Sequence, residues 1–391
     1  MIDTIKSAVE SVLPKVFEIR HRLHQIPELT GEEFKTSAFV RETLSETNID
    51  LLKPFIGTDV VGILKGRSNG KSVALRADID ALPQEELNDL SYKSTHPGRM
   101  HGCGHDGHAA ILLGTALVLN KLQDKFDGSV RFVFQPGEEI AALGRDLVEA
   151  GALLDPEPDA VFAFHGRPGL PTGVIASRPG PMMASADFFN LIIKGKGGHG
   201  SKPDLSIDPI NVAAHIVTAL QAMPARQFSA LEPIVVNICT FHAGDAANII
   251  PAQAVLSGTT RYFNSEYINK IPAMMEKIIS GICNSFGAEY DFKYEMPYLP
   301  TINDPDMVSF AHDLTIKYLG EKSWMDLDQP CMGGEDFSFY LDKYPGAMMF
   351  VGQGLDSNPL HHQSFNFNDD SLFNSITFMV ATVIDFLKQP I

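Results

Sequence analysis

The sequence predicts an open α/β sheet domain of mixed strand direction with a ferredoxin-like α+β domain inserted into it. Three observations carry this. Strand-like and helix-like segments alternate as far as His165, and the strands end in polar groups. Residues 185–297 then read β-α-β-β-α-β, an order complete in itself. The length of 391 residues exceeds what one hydrophobic core usually supports. One domain is therefore placed at 1–184 and 298–391, the other at 185–297.

Apolar residues 5, 9, 12, 16, 19 and 23 recur at helical spacing, so the chain is expected to open on a helix ending near Pro27. His21 and His24 lie beside Arg20 and Arg22 and are expected to be solvated or to cap that helix. A second helix is expected from Glu32 to Leu44. Strands follow at Val60 to Leu64 and Ser72 to Ala77, the latter running into Asp78-Ile79-Asp80. A helix over 109–122 precedes a strand at 130–134 that ends in Gln135-Pro-Gly-Glu-Glu139, and a strand at 160–164 ends in His165. Beyond 297 the chain returns with a helix at 307–318, a strand at 347–351 and a final helix at 372–387.

The 44% apolar content is that of a globular chain, and a net charge of −17, from 31 basic and 48 acidic residues, argues against nucleic acid or anionic membranes as partners. There is no run long enough for a membrane span and no basic leader before an apolar stretch, so the soluble cytoplasm is expected. Cysteines 103, 239, 283 and 331 are too few and too scattered to staple the chain. The last three are expected to be reduced core residues.

Cys103 is different. It lies in Met100-His-Gly-Cys-Gly-His-Asp-Gly-His108, where imidazoles, a thiol and a carboxylate crowd together and glycines let the backbone fold tightly. Thiolate and neutral imidazole are preferred ligands of zinc and similar metals, and Cys103 and His105 can reach one centre across Gly104. Open α/β sheets bind ligands beyond the carboxyl ends of their strands, so Asp80, Glu138, Glu139 and His165 are expected to gather there with residues 103–108.

These segments resemble the dinuclear zinc-peptidase family of aminoacylases and carboxypeptidases. The resemblance rests on Leu75-Arg-Ala-Asp-Ile-Asp-Ala-Leu-Pro83, the 101–108 cluster, Phe134-Gln-Pro-Gly-Glu-Glu139, Gly197-Gly-His-Gly200, Ala247-Asn-Ile-Ile-Pro251, Gly258-Thr-Thr-Arg261, Gly334-Glu-Asp-Phe337 and Leu360-His361. It is strongest to the amidohydrolase branch that includes hippurate hydrolases and hydrolases of auxin conjugates. It implies a zinc-peptidase catalytic domain with a satellite dimerisation domain. It also implies two divalent ions, zinc or else manganese, cobalt or nickel, on Cys103, His105, Glu139, His165 and His361, with Cys103 bridging and His362 the neighbouring alternative to His361. By the same resemblance Glu138 is the general base and Asp80 orients a ligand. Asp78 stands where other branches carry a ligand histidine and is not counted as one. His199 stabilises the oxyanion from the partner of a homodimer, and Asn248 and Arg261 bind the substrate's carbonyl and carboxylate.

The implied reaction is hydrolysis of a small N-acyl amino acid to an acid and a free amino acid. The alternatives are a metallo-dipeptidase or aminopeptidase, or an inactive metal- or ligand-binding homologue. Departures from the branch at Ala163-Phe164 before His165, Gly166-Arg167 after it, and Gly137 touch neighbours of the donors rather than the donors themselves.

Overall fold

The computed structural model describes residues 1–388; the last three residues of the predicted 298–391 span lie outside that range. Two compact units emerge. The first comprises Met1–Met182, Ile302–Gln329 and the chain from Asp336 onward; the second comprises Met183–Thr301 and Pro330–Glu335. Residues 298–301 and 330–335 thus fall in the second unit, against the expectation that everything after 297 belongs to the first.

The first unit is built on an eight-stranded mixed sheet. In spatial order its strands are Asp50–Leu51, Val60–Lys65, Ser129–Gln135, Ser72–Asp78, Ala160–Arg167, Gly346–Gly352, Ile175–Ser177 and Trp324–Asp326. The four from Ser129–Gln135 to Gly346–Gly352 run parallel. Ser72–Asp78 and Gly346–Gly352 are buried at every position; the second reads as a continuous apolar run for that reason, whereas the first also buries Arg76 and Asp78. From Ser72–Asp78 the chain crosses first to one neighbour, Ser129–Gln135, and then to the other, Ala160–Arg167. That reversal opens a crevice at the carboxyl end of Ser72–Asp78.

Three helices pack together on this sheet: Ile2–His24, His105–Lys121 and Leu372–Phe386. All three meet at Gly114, where a Cβ would lie 2.6 Å from Ile376 and 2.9 Å from Val16. Both neighbours are fully buried, so even one added methyl would overpack the core, at a cost of ~1–3 kcal/mol.

In the second unit, strands Val235–Ala243, Gln253–Arg261, Ala186–Lys194 and Glu289–Tyr298 lie antiparallel in that order. Helices Pro209–Gln227 and Lys270–Phe286 cover one face, burying Ile216, Leu220, Ile271, Met275 and Ile279 against Leu191 and Ile193. Asp208 caps the first helix by accepting the Ile210 N–H at 2.9 Å, with Pro209 at its first position. Gly287 ends the second in the left-handed conformation.

Four local expectations are corrected. The helix predicted over 109–122 begins at His105, so the histidines ride on its first turns instead of preceding it in a loop. His165 lies inside Ala160–Arg167, not at its end. His24, expected to be solvated or to cap the helix, is fully buried together with Arg20, because their helix turns that face toward Asp106 and Glu86. Of the cysteines expected in the core, Cys283 is buried, Cys331 is half-buried and Cys239 is exposed. Among the described residues no helix is long and apolar enough to cross a membrane.

Candidate metal centre

Two backbone contacts hold the Met100–His108 stretch in place. Met100 and Leu82 exchange N–H···O bonds of 3.1 and 3.0 Å, and His361 N–H donates to Gly102 O at 2.8 Å. Gly104 then takes the left-handed conformation, with φ 95°, and caps the helix that starts at His105. Positions 105 and 108 share one helical face, and Asp106 points elsewhere, toward His24.

His105 Nδ1 donates to Asp80 Oδ1 at 3.1 Å, which directs Nε2 away from that carboxylate. The other Asp80 oxygen accepts from Thr30 Oγ1 at 2.9 Å and Glu139 N–H at 3.1 Å. His165 Nδ1 donates to Gly166 O at 2.8 Å, leaving Nε2 as an acceptor 3.3 Å from Cys103 Sγ. His361 Nε2 stands 3.4 Å from Glu139 Oε2, whereas His362 Nδ1 accepts from Ser364 N–H in its own loop. Glu138 and Glu139 open the short helix Glu138–Ala141.

The donor atoms of Cys103, His105 and His165 lie within 4.8 Å of one another, as do those of Cys103, Glu139 and His361, and those of His105, Glu138 and Glu139. The structure thus brings all five expected donors together, with Glu138 and Asp80 beside them, and Cys103, His105 and Glu139 each belong to two of these groups.

The electrostatics ask for cations. Burial, reinforced by Glu139, Glu138 and Asp78, pushes the Cys103 thiol well up. Burial alone would depress His105, yet Asp78, Asp80 and Glu139 lift it to about 10. Burial together with His108 holds His165 well below the usual imidazole range. The bond to Glu139 raises His361. His105 Nε2 and Glu139 Oε1 are buried without a hydrogen-bond partner and face each other across 3.8 Å. A buried acceptor set of this kind, poor in fixed cations, fits divalent ions of the borderline kind.

His199, Asn248 and Arg261 belong to the second unit. His199 and Ile249 are register partners, and Gly200 N–H donates to Asn248 O at 2.9 Å, so the first two share one exposed corner. His199 Nδ1 accepts from Ser201 N–H at 3.1 Å. Arg261 ends its strand with its guanidinium 5.6 Å from the Phe188 ring and Nη1 without a partner.

Residues 74–385 match the model of peptidase family M20/M25/M40. The chain belongs to this family. It is 40% identical to the N-acetylcysteine deacetylase of Bacillus subtilis (strain 168), over 92% of this chain and 93% of that protein. It is 39% identical to thermostable carboxypeptidase 1 of Saccharolobus solfataricus, over 95% of each. Among solved structures, a dinuclear metal-binding M20 peptidase from Bacillus subtilis superposes with a TM-score of 0.85 at 34% identity, covering 97% of this chain and 99% of that one.

Two buried networks of this M20 chain were not foreseen. In one, Asp78 accepts from His108 Nδ1 at 2.6 Å and from Arg76 at 2.8 Å, Arg76 reaches Asp336 at 2.6 Å, and His108 Nε2 accepts from Gly166 N–H at 2.8 Å. The signal was available in part, because Arg76 and Asp78 point the same way from an otherwise apolar strand and can pair only with each other or with something buried. Asp336, 260 positions from Arg76, gave no such signal. The other network joins Arg20, His24, Glu86 and Asp106.

Proposed function

We propose that this chain is a metal-dependent amidohydrolase that cleaves the amide of small N-acyl amino acids, releasing a carboxylic acid and a free amino acid. The observation that carries the reading is the Glu138-Glu139 pair. Glu139 faces the donor cluster through His361 and His105, and Glu138 stands buried beside it, where a second carboxylate can move a proton.

Two divalent ions, zinc in the first instance and otherwise manganese, cobalt or nickel, would be held by Cys103, His105, Glu139, His165 and His361. Cys103 would be the shared ligand, since a thiolate sulfur can serve two ions at once. Bound there, such ions supply Lewis acidity, lowering the pKa of water and withdrawing charge from the acyl oxygen. Glu138 accepts a proton from the attacking water and then delivers it to the amide nitrogen as the C–N bond breaks. Asp80 fixes His105 with its proton on Nδ1, so that Nε2 faces the donors.

In the same reading His199 meets the oxyanion from the second subunit of a homodimer, Asn248 polarises the carbonyl, and the forked guanidinium of Arg261 takes the free carboxylate. The partnerless Arg261 Nη1 supports this last role. A cytoplasmic setting agrees with four unpaired cysteines. The carboxypeptidase relative keeps peptide hydrolysis as the second reading.

The test is release of amino acid from N-acetyl, N-benzoyl and long-chain N-acyl substrates beside unblocked dipeptides. Chelator-sensitive cleavage of the acylated set alone is expected. Glu138→Gln is expected to lower kcat by ~10²–10⁴ with metal retained. Full activity of that variant would sink the mechanism, and cleavage of dipeptides alone would move the chain to the peptidases.

A further inference from the structure

The loop before the second helix carries glutamates at 28, 32 and 33; the environments of Glu28 and Glu33 differ, and Glu33 reaches the turn that presents the general base. Glu28 is spent on its own surroundings. Its carboxylate accepts the Thr36 and Lys35 N–H groups at 2.9 and 3.2 Å and the Thr36 hydroxyl at 3.1 Å, satisfying the free end of helix Phe34–Ser45. Glu33, five residues on, is completely buried and turns the other way. One of its oxygens accepts from Gly31 N–H and Gly137 N–H, both at 3.0 Å, and the other accepts from Thr58 Oγ1 at 2.8 Å.

Gly137 is the residue immediately before Glu138. Its φ of 66° is left-handed, and a Cβ there would crowd the Leu143 side chain at 2.4 Å, which favours glycine. The Gly137 carbonyl is held as well, by Leu143 N–H at 3.2 Å. Two residues later Glu139 N–H is held by Asp80, and Asp80 is held by Thr30 from the same loop as Glu33. The Glu138-Glu139 pair therefore stands on backbone groups pinned from outside its own short helix.

We propose that Glu33 is a positioning residue for the general base, fixing the Gly137 turn from which Glu138 and Glu139 project to their separate tasks. The inference rests on Glu138 as the base. A glutamine at position 33 keeps an oxygen for the Gly31 and Gly137 N–H groups and turns its amide N–H toward Thr58 Oγ1; an alanine keeps neither.

Glu33→Ala, Glu33→Gln, Thr58→Val, Glu28→Ala and Glu138→Gln are compared in the metal-loaded protein by kcat, KM, the acid limb of the pH profile, metal content and melting temperature. Glu33→Ala is expected to lose ten- to a hundredfold in kcat at unchanged KM and metal content, with the acid limb displaced. Glu33→Gln is expected to recover to within a few-fold of wild type. Thr58→Val, which releases the far oxygen of Glu33 at little change in volume, is expected to lose a few-fold in kcat and keeps the test open should Glu33→Ala fail to fold. Glu28→Ala should melt earlier and turn over normally.

Wild-type kcat in Glu33→Ala or Thr58→Val, beside an inactive Glu138→Gln, overturns the positioning role and leaves the reaction in place. A Glu33→Gln as slow as Glu33→Ala also overturns it, by assigning the loss to charge. An active Glu138→Gln overturns the reaction itself.

Discussion

The helix that starts at His105 divides two buried clusters of like composition and opposite character. On one side His24 places each ring nitrogen against a carboxylate, Asp106 at 2.7 Å and Glu86 at 3.2 Å. Arg20 reaches Asp106 and Asp369 beside it. Both nitrogens of His24 must donate, so the ring is an imidazolium, and the chain supplies its own cations. On the other side, Asp78, Asp80, Glu138, Glu139 and Cys103 surround His105, and Arg76 is the fixed cation within hydrogen-bond reach of Asp78. The first cluster is a closed electrostatic unit. The second holds more acidic groups than Arg76 and His105 can balance, and the excess calls for charge brought from outside. Histidine, aspartate and burial are common to both, so the count of cations separates structure from site.

Removing metal should widen that difference most. A chelator is expected to abolish turnover, by ~10³-fold or more, and to lower the melting temperature, because ions bound only by the folded state stabilise it. Zinc or manganese should restore both. Turnover that survives complete demetallation, verified by elemental analysis, would erase the distinction.

The His24 cluster should respond to mutation instead. His24→Ala leaves two buried carboxylates without their shared cation and is expected to cost ~3–5 kcal/mol of stability in denaturant titrations, with the metal content of the folded protein unchanged. The same ring sets a pH dependence. Burial would depress it, but Asp106 and the bonds to Asp106 and Glu86 raise it from 6.5 to about 9. A raised folded-state value means the contribution is complete below pH 6.5 and disappears as pH rises through 9. The difference corresponds to ~3 kcal/mol at full effect. Unfolding midpoints between pH 6 and 10 should fall in the wild type and stay flatter in His24→Gln; parallel curves would remove His24 from the account.

The smallest effect belongs to the rim. The side chain of Asp369 is 25% exposed and bonds both Arg20 and His21 at 2.7 Å. Asp369→Asn is expected to cost only ~1 kcal/mol, since water screens part of the pairing. A loss equal to that of His24→Ala would show that the cluster has no gradient from centre to edge.

How much of this could be read from the sequence depended on distance along the chain. The apolar run of Ser72–Asp78, the helical spacing of Val9, Val12 and Val16, and the strand-helix order of the second unit are local, and they appeared with boundaries displaced by a few residues. The donors of the candidate centre were readable because cysteine, histidine and paired glutamates are conspicuous wherever they fall. His24 was misread because a helical wheel shows which face a residue occupies but not what arrives to cover it; here Glu86 and Asp106 arrive from far downstream. Glu33 was passed over for the same reason, since its partner Gly137 lies 104 positions away.

Those separations also bear on how the molecule is made. His361 and Asp369 follow the inserted second unit in the chain, and Arg20 meets Asp369 across 349 positions. A growing polypeptide therefore emerges with its first histidines, its cysteine and both glutamates long before the residues that complete them. Until residues 361–369 leave the ribosome, the nascent chain lacks the histidine that faces Glu139 and one of the carboxylates that hold Arg20. The first unit closes from segments on both sides of the inserted one, so its buried clusters are completed only after residues 361–369 have been made.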